Sequence, residues 1–166
     1  MDDGARSTVY GCTMNAAADG LALSNLLHRY AELVDTGDFA GIGALFGRAR
    51  VHMAGPGSDA VSGETVAAVM RRFVRLYDGV PRTRHIVTNS IFEFDDVDGS
   101  TASARSYYTV LQILAAPTVI VTGRYHDRFT RDAGAWHFSE RVIHVDAVGD
   151  VSGHLVHHLQ VSAESR

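Results

Sequence analysis

The stretch Leu23-Ser-Asn-Leu26-Leu27-His-Arg-Tyr30-Ala-Glu-Leu33-Val34-Asp35-Thr-Gly37-Asp38-Phe39 decides how this chain is read. Leu23, Leu26, Leu27, Tyr30, Leu33 and Val34 recur at helical spacing and form one apolar stripe, which predicts an amphipathic helix with a face to bury. Gly37 supplies the stop, because glycine takes the left-handed conformation of a helix C′ position without a side-chain clash. Asp38 is then placed to cap a short second helix carrying Phe39, Ile42, Leu45 and Phe46. Asp35 is left in the last turn of the first helix, where the backbone dipole presents partial negative charge and a carboxylate is disfavoured. Two readings fit it. It is a solvated loop residue making an Asx turn toward Gly37, or it is held there by a cation or proton donor, for which histidine is the usual choice near neutral pH.

Working outward, a short strand over Arg50–Ala54 ends at Gly55-Pro56-Gly57-Ser58. A third helix follows, with Val66, Val69, Met70, Phe73, Val74 and Tyr77 on one face and Gly79 and Pro81 as its stop. From Arg84 the texture changes to β-branched and aromatic runs. Strands are expected near 84–95, 101–115, 118–130 and 135–146, joined by Asp96-Val97-Asp98-Gly99, Ala116-Pro117 and Asp132-Ala133-Gly134. Links this short require antiparallel neighbours. Gly123 interrupts an otherwise continuous run and predicts a bulge. Three helices followed by an antiparallel meander is an α+β pattern, and a sheet curled around the helices buries both sets of apolar faces. Its open end is the default place for a small-molecule site.

The chain has 166 residues, 46% hydrophobic and 20% charged, which is the size and composition of one globular domain. Fifteen basic residues against nineteen acidic ones leave no basic excess for a phosphate backbone, so nucleic acid is not an expected partner. Cys12 alone cannot form an intramolecular disulfide, and no apolar run approaches the roughly 18 residues of a spanning helix, so the expectation is a cytoplasmic protein with no membrane partner. Residues 1–19 read as a flexible leader without signal-peptide features, with Met1 and Met14 both open as the start. Residues 147–166, with His154, His157 and His158, read as a loosely attached, exposed tail.

Among residues that carry chemistry, His85 opens the first long strand, and strict alternation puts it on one face with Val87, Asn89 and Ile91. It is a pocket base with Asn89 as hydrogen-bond partner, or a rim histidine beside Arg82 and Arg84. The nine histidines show no metal-binding spacing, and no nucleophile elbow, phosphate loop or dinucleotide fingerprint occurs, so neither a metal nor another cofactor is expected. Tyr108 shares its face with the small residues Ala102, Ala104 and Ser106, while Tyr107 points the other way. Asp127 shares parity with Val119, Val121, Tyr125 and Phe129 and so needs a partner, Arg141 or Arg105, most simply as an ion pair bracing the sheet. By composition, Trp136 and Phe138 are core residues.

Taken in order, Tyr30 to Phe39, Ser62-Gly63-Glu64, Arg84-His85-Ile-Val-Thr-Asn89, Ser106-Tyr107-Tyr108, Gly123 to Phe129 and Trp136 to Arg141 resemble the SnoaL-like branch of the nuclear transport factor 2-like superfamily. The resemblance covers about residues 20–146. It implies a cone-like α+β barrel, three N-terminal helices packed in a curved mixed or antiparallel sheet around a deep pocket. Scytalone dehydratase, hexachlorocyclohexane dehydrochlorinase, ketosteroid isomerase, limonene epoxide hydrolase and polyketide cyclases share that cone. In the dehydratase and the dehydrochlorinase an aspartate ending the first helix orients a histidine base on the first long strand, and Asp35 and His85 match those positions. The resemblance thus implies a cofactor-independent lyase or isomerase acting on a small hydrophobic molecule. Met53, Asn89, Tyr108 and Trp136 are its candidate substrate-binding residues, and a homodimer or homotrimer is the expected assembly. A non-catalytic binder on the same cone is the alternative. Val34 departs from the family pattern where scytalone dehydratase has a functional tyrosine, and no second active-site histidine is matched.

Overall fold

The computed structural model of the chain describes residues 16–94 and 99–156. The expectations about Cys12, Met14, the turn around Val97, and His157 and His158 lie outside the described residues. The elements in chain order are α1 (Ala16–Thr36), α2 (Phe39–Leu45), β1 (Arg50–Met53), β2 (Val61–Ser62), α3 (Gly63–Phe73), β3 (Thr83–Phe94), β4 (Thr101–Ile113), β5 (Pro117–Asp132) and β6 (Ala135–Val148). One six-stranded sheet has the order β2-β1-β6-β5-β4-β3. The long strands β3 to β6 are antiparallel neighbours, and β1 runs parallel to β6, which makes the sheet mixed. This is the α+β architecture expected from the sequence, three helices packed against one mixed sheet. Among the described residues, no helix is long and apolar enough to cross a membrane.

The helix ends form as their sequences require. At Gly37, with φ of 77°, the N–H donates to the Val34 carbonyl at 3.0 Å and the Asp38 N–H donates to the Leu33 carbonyl at 2.9 Å, which is a Schellman closure. Asp38 caps α2, its Oδ1 accepting from the Gly41 N–H at 2.8 Å. The inward stripe of α1 (Leu23, Leu27, Tyr30, Val34) meets Phe39, Ile42 and Phe46 of α2 and the concave sheet residues Tyr108, Val110, Ile120, Tyr125, Phe129 and Phe138 in one buried cluster. Each fully buried side chain of this kind contributes about 1.5–3 kcal/mol, so the helices are held mainly by this face.

Three differences from the sequence reading have physical causes. Helix α3 stops at Phe73, short of Tyr77, because Val74 is extended and forms a β-bridge with Leu155 of the C-terminal segment. The bulge expected at Gly123 is present between Thr122 and Gly123, but the parity assumed along β5 breaks elsewhere, at the shift opposite Val110 and Leu111 where Ile120 is the extra residue, so Ile120 is 2% exposed and Val119 is 50% exposed. A second register shift, between Thr88 and Ile91 with Asn89 at φ 53°, reverses β3 midway. His85 and Val87 are partly buried on the inner face, whereas Ile91 is 55% exposed. At the chain ends, Asp19 is buried in the first turn of α1, and residues 149–156 dock on the domain.

Candidate active site

Two elements deliver the pair at the centre of the site. The last turn of α1 projects Asp35 toward the start of β3. There Thr83 Oγ1 donates to Asp35 Oδ1 at 2.9 Å, and the His85 backbone N–H donates to Oδ2 at 2.8 Å. His85 Nδ1 lies 2.6 Å from Oδ1, and the side chains of histidine and aspartate are 8% and 7% exposed. The solvated Asx reading of Asp35 is thereby replaced by the clamp. Burial alone raises the carboxyl, but the His85 ring hydrogen bond and charge, the His85 N–H and the Thr83 hydroxyl together hold it below its ordinary value. An ionised carboxylate only accepts, so Nδ1 carries the proton and Nε2 is the basic nitrogen of the neutral ring. Among the described residues Nε2 makes no hydrogen bond.

The pair lines a groove of about 570 Å³ between α1 and β3, with Ala31, Val80, Val87 and Ile113 as apolar walls and Glu32 and Arg82 as charged ones. On the core side, the Tyr30 ring stands edge-on to His85 with centroids 6.3 Å apart. Tyr30 in turn meets Tyr125 edge-on at 5.9 Å, and Tyr125 stacks on Tyr108 at 4.3 Å. Burial raises the hydroxyls of Tyr30, Tyr108 and Tyr125 above the ordinary phenol range, so they stay neutral donors.

Behind these rings sits a buried ion pair. Arg141 Nε and Nη2 donate to the two Asp127 oxygens at 2.7 and 2.8 Å. The guanidinium carbon lies 4.1 Å from the Tyr125 ring centroid and 4.5 Å from that of Tyr30, so aromatic faces share its charge. Burial opposes that charge, but Asp127 outweighs it and holds the guanidinium protonated. Of the two partners expected for Asp127, Arg141 is the one present. Arg105 instead binds Glu93 at 3.0 Å on the exposed side. Arg141 escaped the list of site candidates, although the demand of Asp127 for a partner was its signal.

The structure brings Asp35 and His85 together and places Tyr108 inward, with 4% exposure. It does not bring Met53, Asn89 or Trp136 to the groove. Met53 ends β1 with 46% exposure, because its strand runs out at the Gly55 turn. Asn89 lies on the outer face beside Arg105, Tyr107 and Arg124, turned out by the bulge that its own positive φ creates. Trp136 is core at the other end of α1, its Nε1 donating to Asp19 at 2.9 Å while Arg131 covers its ring. Among the described residues no group of three or more His, Cys, Asp or Glu side chains is arranged to hold a metal ion.

The sequence profile of the SnoaL-like domain matches residues 15–142. The chain belongs to the SnoaL-like domain family. No curated protein matches this SnoaL-like chain significantly. Among solved structures, an NTF2-like protein with a cystatin-like fold from Novosphingobium aromaticivorans is 17% identical over 79% of this chain and 84% of its own, with a TM-score of 0.64. A protein of that organism assigned as a scytalone dehydratase is 18% identical over 87% of this chain and 91% of its own, also at 0.64. ActVI-ORFA from Streptomyces coelicolor is 21% identical over 78% of this chain and 98% of its own, at 0.62. At these identities the likeness establishes the SnoaL-like fold, and the neighbours include proteins described as enzymes and proteins of unknown function.

Proposed function

We propose that this SnoaL-like protein is a cofactor-independent lyase or isomerase of the dehydratase, dehydrochlorinase or polyketide cyclase type, acting on a small hydrophobic molecule. The observation that carries the reading is the 2.6 Å contact between His85 Nδ1 and Asp35, with the opposite ring nitrogen left without a hydrogen-bond partner among the described residues. In this mechanism Nε2 of His85 removes a proton from carbon, Asp35 stabilises the imidazolium and holds the tautomer, and the electron pair of the C–H bond moves toward an adjacent acceptor. Departure of a β-leaving group gives a lyase, return of the proton at another carbon gives an isomerase, and attack on a carbonyl closes a ring. General-base catalysis of this kind contributes about 10²–10⁴-fold, and the groove supplies the rest by orienting the substrate and excluding water.

The test is turnover of β-hydroxyketones, halogenated alicyclics and steroids by the parent, Asp35→Asn and His85→Gln proteins. Loss of turnover in both variants supports the reading, and equal rates remove His85 as the base. A second reading, a binder that does not turn its ligand over, is favoured by the packing of Tyr30, Tyr108 and Tyr125 in the cone, which leaves the α1–β3 groove as the approach to His85. It predicts ligand affinity that both variants retain, with no product formed. We also propose a homodimer or homotrimer, because Ile86, Tyr107 and Val145 are exposed on the sheet. Sedimentation of a single species at the 17.9 kDa of the chain would contradict it.

A further inference from the structure

The groove that holds Asp35 and His85 is bounded on one side by β3, the last strand of the sheet, whose open edge turns its His85 N–H to α1. The acidic side chains lining the groove are engaged: Asp35 is clamped by His85 and Thr83, and Glu32 turns to Arg29 at 2.7 Å. The two arginines that line it are not held in the same way. Arg84 is exposed and has no hydrogen-bond or ion-pair partner among the described residues. The ion-pair partner of Arg82 is Asp78 at 3.2 Å, and the Asp78 side chain is 92% exposed, so the pair is weak and open to exchange.

The backbone of Arg82 is a second, independent observation. Its φ is 53°, a left-handed conformation that a residue with a side chain enters only against a steric cost and that glycine would take freely. The arginine is held there because its carbonyl accepts both the Ile113 N–H at 2.7 Å and Gln112 Nε2 at 3.1 Å. Strain that the surroundings over-determine in this way clusters at ligand clamps. The guanidinium carbon lies 5.5 Å from the Tyr77 ring centroid. Tyr77 is itself fixed, its hydroxyl donating to the Gly153 carbonyl at 2.7 Å and its main chain closing a tight turn with Val80 across Asp78 and Gly79, both at positive φ. The Arg82 fork is therefore set before a ligand arrives, and the Asp78 carboxylate at the tip of that turn shows the chemistry it accepts.

We propose that Arg82 is the specificity-determining residue of this groove: it exchanges Asp78 for a carboxylate on the substrate, with Arg84 adding charge, while the apolar body of the substrate lies along Ala31, Val80, Val87 and Ile113 toward His85. The inference rests on the lyase or isomerase reading and deepens it, narrowing the small hydrophobic molecule to an apolar ring or chain that carries a carboxylate. Planar guanidinium and planar carboxylate meet through two parallel hydrogen bonds, which fixes direction as well as position. Arg82 and His85 are three residues apart, roughly 10 Å of extended chain, a span that such a molecule and the two side chains bridge together in a groove of about 570 Å³. The anionic end takes no part in the chemistry. Its binding energy orients the acidic carbon toward His85 Nε2 and keeps the negative end away from Asp35.

The probes are cyclohexanecarboxylate and cyclohexanecarboxamide, alike in shape and different in charge, titrated at neutral pH while the His85 ring signals are followed by NMR. The parent should bind the carboxylate about tenfold more tightly than the carboxamide, one charge-assisted hydrogen bond's worth, and the bound carboxylate should move the His85 signals. Arg82→Asn removes the charge and accepts the left-handed backbone; it should weaken the carboxylate about tenfold and leave the carboxamide unchanged. Arg84→Gln should weaken it less. Asp78→Asn, which keeps the turn as Asn-Gly, should tighten the carboxylate by removing its competitor. Equal or absent binding of the two ligands by the parent overturns the proposal, as does carboxylate binding that leaves His85 unmoved. An Arg82→Asn protein that loses both ligands alike also overturns it, because the arginine would then be structural. Failure of the lyase or isomerase reading looks different: the carboxylate preference keeps its dependence on Arg82, while parent, Asp35→Asn and His85→Gln are alike inert on the panel compounds and on their carboxylate-bearing analogues.

Discussion

The carboxylate of Asp35 and the ring of His85 meet at 2.6 Å across 50 residues of chain, and the same carboxylate also takes the His85 main-chain N–H at 2.8 Å. Asp35→Asn keeps the volume and an acceptor but removes the charge that stabilises the imidazolium. The expected outcome is a fall in kcat of about 10²–10⁴-fold with KM changed far less, read from initial rates on whichever panel compound the parent turns over. The variant should also lose about 1–3 kcal/mol of stability in urea unfolding, because hydrogen-bonding groups around the carboxylate lose their charged partner.

Acid should weaken the fold in two stages. Below 6.5 the unfolded chain protonates His154 more readily than the folded one, whose midpoint burial pushes to about 4, so stability falls as pH drops from 6.5 toward 4. Asp35 has a folded pKa below its ordinary value of 3.8, so its contribution is present above 3.8 and is lost as pH falls through the lower folded value. Urea midpoints against pH check both: His154→Gln should flatten the upper limb, and Asp35→Asn the lower one.

Arg141 and Asp127 form a fully buried bidentate pair, with side-chain exposures of 1% and 0%. Removing one partner of such a pair costs about 3–5 kcal/mol, whereas replacing both with apolar groups recovers much of the loss. Arg141→Met should therefore unfold at clearly lower urea than the Arg141→Met, Asp127→Leu double variant. A double variant no more stable than the single one would refute this account.

Gly123→Ala should destabilise the barrel, because its new methyl would stand 2.6 Å from the Tyr108 hydroxyl and within clashing distance of the His144 carbonyl. Overpacking of this kind costs about 1–3 kcal/mol. The check is a lowered thermal midpoint, together with a changed near-ultraviolet signal from the Tyr108–Tyr125 stack.

The helices and their buried faces were legible because Leu23, Leu27, Tyr30 and Val34 repeat at helical spacing, and the closure at Gly37 and Asp38 follows from local chemistry. The Asp35–His85 contact was not legible from spacing, since nothing local links the two; the family resemblance paired them. Asn89 misled because strict alternation cannot register a bulge made by a left-handed asparagine. His154 was read as tail because the segment 149–156 has no periodicity of its own and takes its order from main-chain partners at Phe73 and Arg75.

The double grip of Asp35 on β3, through ring and main chain, joins a helix terminus to a strand origin as a rigid hinge pin. The imidazole is aimed before any guest arrives and stays aimed after it leaves. Substitutions along the walls at Ala31, Val80, Val87 and Ile113 can therefore retune what the groove admits without detuning the proposed proton acceptor, which gives the scaffold room to diversify what it binds one wall at a time.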